Sequence, residues 1–145
     1  MEFRSVADGI RAVEALGATP RAPAGAWDLG QVLHHLAQSV EYSMIGFPVL
    51  KPGWFRATVG PLAFSVFRAR GRMRHPLDAP IPGAPSVAAG ESVHDAAKRL
   101  VAALTAFEAC SSPLAPHFAY GALGKDAYAR AHLMHLADHW HALGD

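Results

Sequence analysis

The sequence predicts an all-α fold, an antiparallel four-helix bundle with an extra short helix and a long loop in its middle. Three observations predict it. Apolar residues recur at helical spacing in four long stretches, polar capping residues precede two of them, and no run alternates apolar and polar residues as a half-buried strand does. The 145 residues are read as one bundle domain, residues 1–145, because that length is near the usual domain size and 51% hydrophobic residues suffice for one core.

Phe3, Val6, Ile10 and Val13 form the first stripe, and Gly17 followed by Pro20 ends it. After the Pro- and Ala-rich linker from Ala18 to Ala26, Asp28 and Gln31 have the spacing of a capping box. Leu29, Leu33, Leu36 and Val40 then carry a second helix to about Gly46, before Pro48. In the middle, Gly60-Pro61 reads as a helix start, Leu62 to Arg70 as two or three turns and Gly71 as the stop. The proline-rich stretch from His75 to Gly90 is expected to be a long ordered loop. Ser92 and Asp95 resemble another capping box, and Val93, Ala97, Leu100, Val101, Leu104 and Phe107 share the face of a third long helix ending near Cys110. Pro113 and Pro116 enforce a break, and the last helix starts near Gly124 with Asp126 in its first turn, where negative charge suits the helix dipole.

The charge and cysteine content narrow the function classes. A net charge of +1 gives no global reason to expect nucleic acid as a partner. Tyr42 to Leu77 lacks acidic residues and holds Lys51, Arg56, Arg68, Arg70, Arg72 and Arg74, but no aromatic stacking pattern accompanies them. Cys110 stands alone, which excludes an intrachain disulfide and a multi-cysteine zinc site and fits a reducing compartment. At the expected C-terminus of a helix it reads as a half-buried structural thiol rather than a nucleophile. The charged N-terminal run Met1-Glu-Phe-Arg-Ser-Val-Ala-Asp-Gly does not suit a signal peptide, and the apolar runs break well before the ~20 residues of a membrane span. The expectation is a cytoplasmic protein with no nucleic-acid or membrane partner.

Histidine is the clearest chemical signal: of nine, five lie between His117 and His141. His135 and His139 are four residues apart, so both imidazoles project from one helical face and can reach one metal ion. His34 and His35 flank the apolar stripe of the second helix, and periodicity does not choose between them. Two imidazoles from one helix and one from another make a common zinc shell that also suits nickel, iron or copper. Three ligands leave a position open for chemistry, whereas four lean structural. The pair lacks the intervening Glu of the zinc-protease motif. Glu41, Gln31 and Asp138 are candidates to orient ligand imidazoles, and Tyr120 and Tyr128 to line a cavity.

The run Trp27-Asp-Leu-Gly-Gln-Val-Leu-His-His-Leu-Ala-Gln-Ser-Val-Glu41 resembles the second-helix signature of the DinB/YfiT-like superfamily of metal-dependent proteins, in which a His-Leu step supplies the first ligand. Here that step is His35-Leu36. His117-Phe-Ala-Tyr-Gly-Ala-Leu-Gly-Lys-Asp-Ala-Tyr128 followed by His135-Leu-Ala-Asp-His139 is similar to the last-helix pattern of an uncharacterised branch. The resemblance implies a DinB-like bundle holding a divalent metal, zinc or nickel first, on His35, His135 and His139. Where the branch carries a further His before the second ligand and a basic or Gln-rich tail, this chain has Asp138 and Trp140-His-Ala-Leu-Gly-Asp145. The implied function is a metal-dependent enzyme that activates a low-molecular-weight thiol or water for transfer to, or hydrolysis of, a small molecule, in a homodimer. The alternative is a non-catalytic metal- or small-ligand-binding stress-response module.

Overall fold

The four long amphipathic stripes can bury their apolar faces only against one another, and a computed structural model, which describes residues 2–143, shows them doing so. Met1 of the charged N-terminal run and Gly144 and Asp145 of the C-terminal tail lie outside the described residues. The described chain is all-helical: α1 (Val6–Ala18), α2 (Leu29–Ile45), α3 (Gly53–Ala57), α4 (Val59–Arg70), α5 (Val93–Ala109) and α6 (Lys125–His141). Both α1 and α2 pack against α5 and against α6, so the four long helices close around one core. Val13, Leu33, Leu100, Leu104, Phe107 and Tyr128 are its most enclosed side chains. Burying each aliphatic member is worth about 1.5–3 kcal/mol.

The caps follow the sequence. Asp28 Oδ1 accepts the Gln31 amide at 2.8 Å while Gln31 Oε1 accepts the Asp28 amide at 2.9 Å, completing the capping box. Ser92 Oγ accepts the Asp95 amide at 3.2 Å. Ser5 caps α1 in the same way through the Asp8 amide, a start that the apolar stripe alone did not mark. At the far end of α5, Lys125 Nζ donates to the carbonyls of Phe107, Glu108 and Cys110, a cation on a helix C-terminus.

The middle departs from the expectation of one extra short helix, for there are two. Pro52 opens α3, and Thr58 turns its hydroxyl onto the Trp54 carbonyl at 2.6 Å, separating α3 from α4. Five residues are too few to show a helical period, which is why the sequence stripe began at Gly60. Gly71, at φ 66°, ends α4 as expected. A second apolar cluster of Phe64, Met73, Ala131 and Met134 fastens α4 and the chain after it to α6.

The proline-rich loop is held by side chains of α2, since its prolines have no N–H to give. Gln31 Nε2 donates to the Val87 carbonyl at 3.1 Å, Gln38 Nε2 to the Pro85 carbonyl at 3.2 Å, and the Gly90 amide to Asp28 Oδ2 at 2.8 Å. The Gly90 and Gln31 amides keep the Asp28 carboxyl below its ordinary range. These bonds lay the later part of the loop, from Pro85 to Gly90, along α2. No helix among the described residues is long and apolar enough to cross a membrane.

Candidate metal centre

On α6 the buried face is polar as well as apolar: His132, Asp138 and His139 are buried beside Leu133, Met134, Leu136 and Trp140. A helix that turns imidazoles inward must give their nitrogens partners, because an unpaired buried polar group is destabilising. For His135 and His139 the partners are other imidazoles. His35 Nε2 lies 3.2 Å from His135 Nε2, His135 Nε2 lies 3.2 Å from His75 Nε2, and His75 Nε2 lies 3.2 Å from His139 Nε2. One ligand atom from each of the four lies within 4.8 Å of all the others.

Hydrogen bonding does not satisfy this arrangement. Each Nε2 has one in-plane position, holding either a proton or a lone pair. His135 and His75 each face two neighbours, so at most two of the three contacts can be well-aligned N–H···N bonds. A single cation can accept all four lone pairs. Nitrogens at ~2.0–2.1 Å from one ion, at roughly tetrahedral angles, stand about 3.3 Å apart, close to the observed contacts. The four histidines can therefore hold a metal ion.

Burial keeps the His35, His135 and His139 rings neutral and their lone pairs available. It pushes His35 down to about 4, helped by the neighbouring His75, and His139 down to about 3, helped by His75 and His35 and opposed by Asp138. His135 is driven well below its ordinary value by burial and then by His35, His139, His75 and His132. Asp138 Oδ2 lies 2.7 Å from His75 Nδ1 and accepts the His75 amide at 3.3 Å. The contact falls outside hydrogen-bond geometry, so Asp138 acts on the ring through its charge, which favours a proton on Nδ1 and leaves the His75 Nε2 lone pair toward the cluster. Burial raises the Asp138 carboxyl, but the bond and charge of His75 outweigh it and leave it below its ordinary range. His35 Nδ1 is buried with no partner among the described residues, and its ring packs 5.1 Å from Trp27.

The structure thus brings His35, His135 and His139 together and adds His75, the first residue of the proline-rich loop. No spacing marks His75, since it shares no helix with the others; its position follows from Asp138 of α6, which accepts its amide and faces its ring. His34 faces the other way, its Nδ1 accepting from Arg99 Nη1 at 3.0 Å. Two expected orienting residues are employed elsewhere: Glu41 makes a two-pronged pair with Arg99 at 2.9 and 2.8 Å, and Gln31 is the cap. Asp138 does orient an imidazole, that of His75. Cys110 is the C-cap of α5, 3.8 Å from the Ser112 carbonyl, and does not line the cavity beside the cluster.

That cavity, about 340 Å³, is walled by His35, His75 and His135 on one side and by Lys51, His117, Phe118 and Tyr120 on another, with the loop residues Pro80, Ile81 and Pro82 between. His132 also reaches it, yet its Nε2 lies 3.1 Å from Ser43 Oγ, whose own proton goes to the Val40 carbonyl at 2.6 Å. Ser43 therefore accepts from His132, and the pair is not a serine nucleophile with its base. Tyr120 lines the cavity, its hydroxyl pushed up to about 12 by burial, whereas Tyr128 is fully enclosed and donates to the Ala115 carbonyl at 2.6 Å.

A family model described as protein of unknown function, DUF1569, matches residues 1–145. The chain belongs to that family. No curated protein and no solved structure matches it.

Proposed function

We propose that this DUF1569 member is a metal-dependent enzyme on a DinB-like four-helix bundle, activating a low-molecular-weight thiol or water for transfer to, or hydrolysis of, a small molecule. The observation that carries the reading is the convergence of four imidazole Nε2 atoms, three of them from residues that line a cavity large enough for such a molecule, His35, His75 and His135. His35, His135 and His139 hold the ion, zinc or nickel, from two rigid helices. When bound, the ion supplies Lewis acidity toward the thiol or water. His75 sits on the loop with Asp138 behind its Nδ1, so its Nε2 is oriented to accept the nucleophile's proton.

The same contacts support a second reading. If His75 is the fourth ligand the shell is closed, and the site suits a non-catalytic metal- or small-ligand-binding module. His75→Ala separates the two. For the enzyme, tag-free variant protein keeps its metal and loses thiol-dependent turnover of an electrophilic dye, assayed with glutathione, bacillithiol and mycothiol. For the module, it loses metal and the wild type shows no thiol-dependent rate. Wild-type protein with less than about half an equivalent of metal, unchanged in His35→Ala, would sink both.

A further inference from the structure

The cavity that His35, His75 and His135 line is also lined by a histidine whose tautomer is fixed by the backbone. His117 and Gly121 close a tight turn, the His117 amide donating to the Gly121 carbonyl at 2.8 Å and the Gly121 amide returning to His117 at 3.3 Å. Inside it the amides of Ala119 and Tyr120 both donate to His117 Nδ1 at 3.1 Å. A nitrogen that accepts two amides carries no proton, so the proton of the neutral ring sits on Nε2. The ring lies flat on Tyr120, 4.2 Å between centroids at 9°, and this stacking fixes its plane. His117 lines the cavity, and with Nδ1 occupied by the turn, Nε2–H is the group left to meet a ligand. Burial keeps the ring neutral, pushing it down to about 3.

The turn is pressed into place from outside. A Cβ on Gly60 would stand 1.7 Å from the Ala119 carbonyl oxygen, so the start of α4 can lie against the turn only with glycine there. Among the described residues lining the cavity none is acidic, Lys51 is the cation, and Met73, Ile81 and Phe118 are apolar. A fixed N–H donor, apolar walls and a lining lysine, Lys51, whose ammonium lies 5.0 Å over the Phe55 ring, together select an oxygen acceptor bearing negative charge on an apolar body.

We propose that His117 is a substrate-binding residue whose Nε2–H grips a carboxylate oxygen of a small, largely apolar organic acid, with the lining Lys51 supplying the opposite charge. The inference rests on the cavity being the substrate chamber of the proposed enzyme, and its test is read beside metal content so that the two can fail separately.

The probe is benzoate, titrated into zinc-supplemented, tag-free full-length chain and followed by long-range ¹H–¹⁵N spectra of the histidine rings. His117 is expected as the Nε2–H tautomer, with its Nε2 signal moving saturably. In His117→Asn the Oδ1 can still accept the Ala119 and Tyr120 amides while the Nε2 donor is gone, and benzoate binding should weaken about tenfold or more. Lys51→Met should weaken it less and reduce its salt dependence. An Nδ1–H tautomer, no saturable shift, or equal benzoate affinity in wild type and His117→Asn overturns the proposal, and the two wild-type readouts decide it even if the variant fails to fold. Metal bound stoichiometrically with His117-independent benzoate binding defeats this inference alone; His117-dependent binding in protein that takes up no metal defeats the metal reading alone.

Discussion

Two groups of histidines meet at the same cavity, which His35, His75 and His135 of one and His117 and His132 of the other line, and they differ in where their nitrogens point. In one group, His35, His75, His135 and His139 turn Nε2 toward one another, and protein groups cannot satisfy all four. In the other, each ring has a partner of its own: His117 the amides of its turn, His132 the hydroxyl of Ser43. Burial lowers His35, His135 and His139 of the first group and His117 and His132 of the second alike, so depth and charge do not distinguish a metal cradle from a set of packed imidazoles. The distinguishing property is the direction of the unshared lone pair. His132 shows it best, since it is one turn from His135 on the same helix and yet faces a different partner.

The sharpest way to break this contrast is to remove one ring from each group and measure the same quantity. His135→Ala should lower metal affinity by more than about 100-fold, beyond the roughly 10- to 100-fold that an outer partner carries, as read by competition with a chromophoric chelator. His132→Leu should leave that affinity near wild type; equal losses in the two variants would erase the distinction. Asp138→Asn tests how the first group is oriented. By weakening the carboxylate behind His75 Nδ1 it should reduce affinity about 10- to 100-fold if His75 is a ligand, and turnover instead if His75 accepts the proton.

For the second group the expected loss is in stability. His132→Leu removes the ring that donates to Ser43 and should destabilise the chain by about 1–2 kcal/mol in urea unfolding. The pH dependence sharpens this further. His117 and His132 are held down to about 3 when folded and return to an ordinary value near 6.5 when unfolded, so below pH 6.5 the unfolded chain binds more protons. Their contribution is fully present above pH 6.5 and is lost progressively as pH falls toward 3. In chelator-treated protein between pH 6 and 5, His117→Asn should reduce the slope of stability against pH by up to about 1.4 kcal/mol per pH unit. An unchanged slope would mean that the ring titrates normally in the fold. The smallest effect belongs to neither group: Arg99→Met, which breaks the half-exposed pair with Glu41 beside His34, should change stability by less than about 1 kcal/mol and metal binding not at all.

The regular parts of the fold were legible because helices write their period and their caps into the sequence. Asp28 with Gln31, and Ser92 with Asp95, marked the starts of α2 and α5 to the residue. Geometry on paper left His34 and His35 open because both flank the apolar stripe; the structure separates them through Arg99, a contact 65 residues away. His75 was illegible for a related reason. It belongs to no periodic element; Gln31, Gln38 and Asp28 hold the later part of its loop on α2, while its own bond to α6 is to Asp138, 63 residues away. Local spacing encodes which residues share a face, whereas the meeting of a loop with two helices is decided by bonds that no spacing records.

The contacts of His75 and His35 with the last helix span 60, 64 and 100 residues of chain. An ion shared by these rings would tie α2, the proline-rich loop and α6 at one point, closing long loops as disulfides do elsewhere, in a sequence whose single cysteine rules out an intrachain disulfide. Unlike a disulfide, such a clasp would stabilise by binding the folded chain alone, and so would hold the cavity wall only while the ion is bound. It would also open reversibly, so that supply of the ion, rather than redox state, would govern how firmly the loop stays shut.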